Sequence, residues 1–76
     1  MSIYHNYQAV AESGLGIENF FCITVTEYDV TLLAWNEPKV LEICKNVGYK
    51  FIWDDQNNRL VSENNEVIRI VLVYKH

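Results

Sequence analysis

The first half of the chain lacks any Lys or Arg. Residues 1–38 carry acids without a single fixed cation, and these acids are Glu12, Glu18, Glu27, Asp29 and Glu37. Residues 39–76 hold five acids and six bases, so the net charge of −4 comes from the first half. A surface without cations is poorly suited to neutralising phosphates. Two interpretations remain open, an acidic patch that meets a basic protein surface and a charge balance that only keeps a small protein soluble.

Residues with side chains suited to catalysis or metal binding are also scarce. The histidines are His5 and His76, near the two ends of the sequence, and the cysteines are Cys22 and Cys44. None of them shows the C-x2-C or H-x3-H spacing of a zinc site, and a catalytic nucleophile would need an oriented base beside it. The Gly-Leu-Gly sequence at 14–16 precedes a predicted strand, whereas a nucleotide-binding loop follows a strand and opens a helix. We therefore expect no enzyme, no metal site and no cofactor.

Targeting signals and long hydrophobic runs are missing from the sequence as well. The start, MSIYHNYQ, has no basic segment followed by an apolar one, as a secretory signal would. No apolar run approaches the ~18 residues that a membrane span requires. These observations predict a cytoplasmic protein without membrane contact and with reduced thiols. A single Cys22–Cys44 disulfide is the alternative.

Apolar side chains, by contrast, are abundant. Half of the 76 residues are hydrophobic, including three Phe, five Tyr and two Trp. This length predicts one domain over residues 1–76 with a single small core. A domain of this size cannot easily bury so many apolar side chains in its own core. We therefore expect some of these side chains to contact a partner or a second copy.

One segment carries a complete set of helix signals. Asn36 can cap the first turn, Pro38 fits a position that needs no N–H donor, and Gly48 can adopt the left-handed conformation that ends a helix. Between them, apolar residues at helical spacing form one stripe: Val40, Ile43, Cys44 and Val47. The sequence therefore predicts a helix over residues 37–47 that packs on a sheet.

After Gly48 the apolar period changes to two, which indicates strands. Setting Asp54 opposite Arg59 pairs Trp53 with Leu60, so that opposite charges meet beside the turn and apolar residues meet behind it. Ile52 then faces Val61 on the other side of the hairpin. Residues 55–58 form the predicted turn, with Asn58 at positive φ.

A calcium-binding loop is the alternative interpretation of this turn. A twelve-residue loop starting at Asp54 would need Gly at its sixth position and Glu at its twelfth. The sequence has Arg59 and Asn65 there, so the turn is favoured.

A further strand is predicted after a second turn at 63–65. Setting Ser62 opposite Glu66 places Leu60 beside Ile68 and Val61 beside Val67. The alternation then puts Ile68, Ile70, Leu72 and Tyr74 on the face of Phe51 and Trp53, and Arg69, Val71, Val73 and Lys75 on the other.

The first half of the chain is less sharply patterned. Residues 19–26 and 30–34 alternate as a pair of strands, although Thr26 and Asp29 also resemble a helix capping box, so that 27–35 as a helix remains an alternative. Residues 3–12 predict a short helix with Ile3, Tyr7 and Val10 on one side. The predicted order is α-β-β-α-β-β-β, a single α+β domain with an antiparallel sheet of about five strands.

The functional expectation follows from these features. We expect a non-enzymatic protein-interaction module, a small acidic regulator, inhibitor or accessory subunit that binds a larger, basic-surfaced protein, with homodimer formation as an option. The candidate contact residues are acidic or polar (Glu18, Glu27, Tyr28, Asp29) and apolar (Trp35, Val71, Val73).

The alternative is a nucleic-acid-binding module in which bases stack on Tyr49, Phe51 and Trp53. Against it, the same three rings can form the core beneath the helix, and six basic residues are few for such a role.

Overall fold

The computed structural model describes residues 3–63 and 67–74. Its elements, in chain order, are α1 (Ile3–Ala11), a 3-10 turn (Ile17–Asn19), β1 (Cys22–Val25), β2 (Val30–Trp35), α2 (Pro38–Val47), β3 (Phe51–Asp54), β4 (Arg59–Ser62) and β5 (Ile68–Val73). The predicted order and the α+β class are confirmed, and residues 30–35 form a strand rather than a helix.

The five strands form one sheet in the order β1-β2-β5-β4-β3. The sheet is mixed rather than antiparallel throughout, because β5 runs parallel to β2 while the other three pairs are antiparallel. Two neighbouring parallel strands require a long crossover between them. Here α2 and the β3–β4 hairpin lie in that connection, and β5 then inserts between β2 and β4.

The β3–β4 hairpin has the predicted register. Asp54 lies opposite Arg59, Trp53 opposite Leu60 and Ile52 opposite Val61. Asn58 has a φ of 54°, as the predicted turn requires. The charge pair and the left-handed residue act on the same four-residue connection, so they select one pairing.

The predicted register between β4 and β5 was wrong. Leu60 lies opposite Leu72 rather than Ile68, and Val61 opposite Val71 rather than Val67. The Ser62 hydroxyl accepts a hydrogen bond from the Ile70 backbone N–H at 2.9 Å in this register. The shift is four residues, so each side chain keeps its predicted face. The predicted partner of Ser62, Glu66, lies outside the described residues.

The start of helix α2 and its N-cap both lie one residue later than predicted. Glu37 is the N-cap residue, and Pro38 occupies the first turn. The Asn36 backbone N–H instead donates to the Val73 carbonyl at 2.7 Å, which extends the β2–β5 ladder by one bond. Gly48 ends the helix at a φ of 112°, a value that suits glycine. Val40 and Cys44 are buried as predicted, whereas Val47 is exposed.

Both helices pack on the same side of the sheet, here called the inner face. Helix α1 buries Asn6 and Val10 there, not Ile3 and Tyr7, which are exposed. The Asn6 amide donates to the Thr26 carbonyl at 2.7 Å, which satisfies its buried side chain. The buried core between helices and sheet consists of Val10, Leu15, Phe20, Val30, Leu32, Ala34, Val40, Cys44, Tyr49, Ile68, Ile70 and Leu72.

Candidate interaction surface

The opposite side of the sheet, the outer face, is covered by no helix among residues 3–63 and 67–74. Its centre is a row of side chains that crosses all five strands, since the registers join Cys22 to Leu33, Leu33 to Val71, Val71 to Val61 and Val61 to Ile52. We call it the central row. Four of its five members are aliphatic. An uncovered sheet face usually alternates to polar side chains, so an aliphatic row there is a candidate contact surface.

A second row lies beside the central row, toward the α2 end of β2. Trp35 pairs with Val73, Val73 with Arg59, and Arg59 with Asp54. Phe21, just before β1, stacks against Trp35 with ring centroids 4.8 Å apart. We call these five residues the aromatic row. Phe21 remains 52% exposed and Trp35 37% exposed, so two rings extend the apolar surface at this end.

A third row flanks the central row on its other side and is polar. Thr24 pairs with Thr31, and Thr31 with Arg69. Glu63 and Lys50 continue this row, because the Glu63 backbone N–H donates to the Lys50 carbonyl at 2.8 Å and extends the β3–β4 ladder by one pair. Alternation places their side chains on the face of Val61 and Ile52. We call these five residues the polar row.

The central row is well packed even without a cover. Val71 is only 3% exposed, because Leu33 and Val61 flank it on the neighbouring strands. Ile52, on the edge strand, is 48% exposed. The surface is therefore apolar and closely packed in the middle and exposed at its β3 edge.

The structure brings the three apolar candidate residues together. Trp35 and Val73 are direct partners in the β2–β5 register, and Val71 lies on the same face two residues from Val73. Leu33, Val61, Ile52, Cys22 and Phe21 belong to the same surface but were missed in the sequence. The signal that could have found most of them was the alternation that already assigned Val61 and Ile52 to the side away from Trp53.

The acidic candidates lie elsewhere and are divided between two elements. Glu27 and Tyr28 occupy the turn between β1 and β2, where Tyr28 is 79% exposed. Glu18 lies in the separate 3-10 turn Ile17–Asn19. One carboxylate oxygen of Asp29 is used within the turn, because the Thr26 hydroxyl donates a hydrogen bond to its Oδ1 at 2.9 Å.

The three rings of the alternative function do not form one open platform. Tyr49 is 5% exposed and belongs to the core, and Phe51 packs against the core. Trp53 is 42% exposed and meets Tyr74 edge to face, with ring centroids 5.7 Å apart. Only Trp53 of the three could offer most of a ring face to a base.

The residues with reactive side chains are dispersed. Cys44 is buried in the core, and burial raises the pKa of its thiol to about 11, so it stays protonated near neutrality. Cys22 is an exposed, free thiol at the β1 end of the central row. His5 lies on α1, and His76 is outside the described residues. Within the described ranges no three His, Cys, Asp or Glu residues are grouped as metal ligands.

One ion pair has a defined local role. Arg59 Nε lies 3.3 Å from Asp54 Oδ2, and the Asn57 amide donates to the same oxygen at 2.9 Å. The Asn57 hydrogen bond, and after it the contact with Arg59, lowers the pKa of Asp54. The pair holds the hairpin turn together and leaves the aromatic row electrically balanced at its β3–β4 end.

No helix in the described part of the chain has the length and apolar content needed to cross a bilayer. Comparison of the chain with models of protein families, with curated proteins and with solved structures gives no match.

Proposed function

We propose that this protein is a non-enzymatic protein-interaction module, a small regulator, inhibitor or accessory subunit of a larger protein. The observation that carries the proposal is the outer face, where an aliphatic row crosses five strands and two aromatic rings continue it without a covering helix. Apolar patches of this kind mark contact surfaces more often than they mark inert surface.

The charge of the first half supports a basic partner surface. Glu27 projects from the turn between β1 and β2, and residues 1–38 contain no Lys or Arg that could neutralise it from nearby in sequence. Complementary charge speeds encounter and excludes wrong partners more than it adds affinity. We therefore assign affinity to the outer face and selectivity to the acidic turn.

Capture of partners from the native extract tests the proposal, with the tagged wild-type chain and three variants. Val73→Glu places a charge in the outer face beside Arg59, its cross-strand neighbour, so the fold can accept it. Val47→Glu makes the same change at an exposed valine on α2 and is the matched control. Glu27→Lys reverses the charge of the turn.

The expected result is one defined protein that the wild type and Val47→Glu capture. Val73→Glu should lose it, and Glu27→Lys should weaken capture most at low salt, where repulsion from a basic surface is least screened. Capture that Val73→Glu does not change would contradict the role of the outer face. A chain that captures only RNA, with quenching of Trp53 fluorescence by an oligonucleotide, would favour nucleic-acid binding instead.

A further inference from the structure

We propose that the apolar part of the outer face is covered by a second copy of this chain in a two-fold dimer. The two sheets stack face to face, and each strand runs antiparallel to the same strand of the other copy. This inference rests on the proposed function, because it takes the outer face to be a contact surface. It assigns the outer face of the free protein to a second copy, which the larger partner must displace from that face, while the acidic turn stays accessible in both states.

The three rows make the outer face self-complementary. Consider a two-fold axis that runs between the two sheets along the central row, perpendicular to the strands. The axis keeps the strand order and reverses the strand direction, so each central row meets its own copy. Val71 then faces the second Val71, Leu33 the second Leu33 and Val61 the second Val61. Identical side chains face one another along the row, four pairs of them aliphatic and the fifth formed by Cys22.

The same operation places the polar row of each copy over the aromatic row of the other. Glu63 comes over Arg59, and Lys50 comes over Asp54, so both charge signs are matched along β4 and β3. The two-fold repeats each match, which gives four attractive pairings. Opposite potentials across an interface fix its register and orientation.

Arg69 provides a further match at the middle of the sheet. In the same arrangement it lies over Val73, beside Trp35, where its guanidinium can stack on the exposed indole ring. Arg is the cation best suited to such contacts, because its planar group is weakly hydrated. Arg69, the charged residue of β5, therefore gains an aromatic partner in the dimer.

The other face-to-face arrangement is disfavoured by charge. A two-fold axis parallel to the strands would superpose polar rows on polar rows and reverse the strand order. Arg69 of β5, the central strand, would then face its own copy. Like charges placed together at an interface disfavour the pairing that brings them there. Of these two arrangements, the one in which each strand is antiparallel to its own copy avoids this repulsion.

The size of the face sets the strength of the dimer. Five strands about 4.8 Å apart, with about five residues of about 3.3 Å each, give a footprint of roughly 400 Å² per copy. Stable complexes bury about 800 Å² per partner, and weaker ones less. The dimer is therefore reversible, and its population rises with protein concentration. The β1–β2 turns, with Glu27 and Tyr28, lie at opposite ends of it and stay accessible.

Cys22 allows a direct test on the unmodified protein. It is the β1 end of the central row, so the proposed axis brings the two Cys22 thiols to the same edge of the dimer, across sheets about 10 Å apart. A bismaleimide of matching reach should link Cys22 to Cys22. Cys44 is buried, and its raised pKa keeps it from reacting near pH 7, so one exposed thiol per chain is tested.

The expected result is a linked dimer whose yield falls on dilution, with mass spectrometry locating the bridge at Cys22 in both chains. The Cys22→Ser variant should give none. In the arrangement with reversed strand order Cys22 faces Ile52 of the second copy, so an Ile52→Cys variant that links 22 to 52 would overturn the proposal. A wild type without a link at any concentration would overturn it as well.

Sedimentation equilibrium gives an independent measurement. Wild type and Val47→Lys should show a monomer–dimer equilibrium, and Leu33→Lys should be a folded monomer, with folding checked by near-UV circular dichroism. If Leu33→Lys unfolds, Glu63→Lys weakens the dimer from the surface and serves instead. A wild-type monomer that still captures a partner dependent on Val73 would refute the dimer and leave the proposed function standing.

Discussion

The Thr26 hydroxyl and the Asp29 carboxylate lie 2.9 Å apart in the turn between β1 and β2. The hydroxyl oxygen also accepts the backbone N–H groups of Tyr28 and Asp29, at 3.1 and 3.0 Å. One side chain therefore holds the whole turn that presents Glu27 and Tyr28. The spacing that resembled a capping box is used for a turn, because the same donors and acceptors serve both.

Replacing Thr26 by Val should destabilise the protein by about 1–2 kcal/mol, because two turn N–H groups lose their acceptor. Thr26→Ser keeps the hydroxyl and should cost less than half as much. Urea unfolding followed by circular dichroism measures both changes. Equal losses for Val, which keeps the methyl group, and Ser, which keeps the hydroxyl, would contradict a dominant role of the hydroxyl.

Asn58 should tolerate glycine and resist β-branched residues. Its φ of 54° lies in the left-handed region, which costs most non-glycine residues about 1–2 kcal/mol. Asn58→Gly should leave the free energy of unfolding within about 0.5 kcal/mol of wild type, and Asn58→Val should lower it by more than about 1 kcal/mol. Gln56→Val, in the same turn, is the control and should change stability less than Asn58→Val.

Asp54 should contribute to stability above its lowered pKa. Because the folded state holds the pKa of this carboxyl below its ordinary value, the unfolded chain takes up the proton first as the pH falls. The contribution is therefore present above about pH 4 and is lost as the pH falls through the folded pKa. Unfolding of wild type and Asp54→Asn across pH 2–5 should converge at the acidic end. A constant difference over that range would contradict the assignment, and Asp55→Asn controls for removal of one turn carboxylate.

Cys44 should make the protein less stable in alkali. Burial raises the pKa of its thiol from 9.0 to about 11, so between these values the unfolded chain ionises while the folded chain does not. Stability contributed by the protonated thiol is complete below pH 9 and falls as the pH rises toward 11, by an amount of order 2 kcal/mol. The difference between wild type and Cys44→Ala, measured by urea unfolding from pH 8 to 11, isolates this slope. A pH-independent difference would show that the thiol is not protected.

The sequence was most informative where two local signals coincided. The pair Asp54 and Arg59 and the left-handed Asn58 both act on the β3–β4 connection, and that register was predicted residue by residue. The β4–β5 register was missed because Ile68 and Leu72 are chemically alike opposite Leu60. A shift of four residues leaves every face unchanged, so alternation cannot detect it. The Ser62 bond to the Ile70 backbone, which distinguishes the registers, has no signature in the sequence.

The parallel pairing of β2 with β5 was also beyond local patterns. It joins Val30 to Ile68 across an intervening helix and hairpin, and no spacing rule records such a contact. The apolar candidates Trp35, Val71 and Val73 were named from the sequence as separate residues. Their assembly into one surface with Leu33 and Phe21 depends on that pairing, so the sequence supplied three members of this surface and neither the remaining members nor its shape.

The position of β5 also has a consequence for biosynthesis. Of the five strands in the described part of the chain it is made last, yet it lies between β2 and β4 and joins the two hairpins. A nascent chain that ends before residue 68 holds two half-sheets with unpaired inner edges and no shared ladder. The complete sheet therefore forms after residues 68–73 have been made, and a fragment that ends earlier exposes unpaired strand edges that favour aggregation.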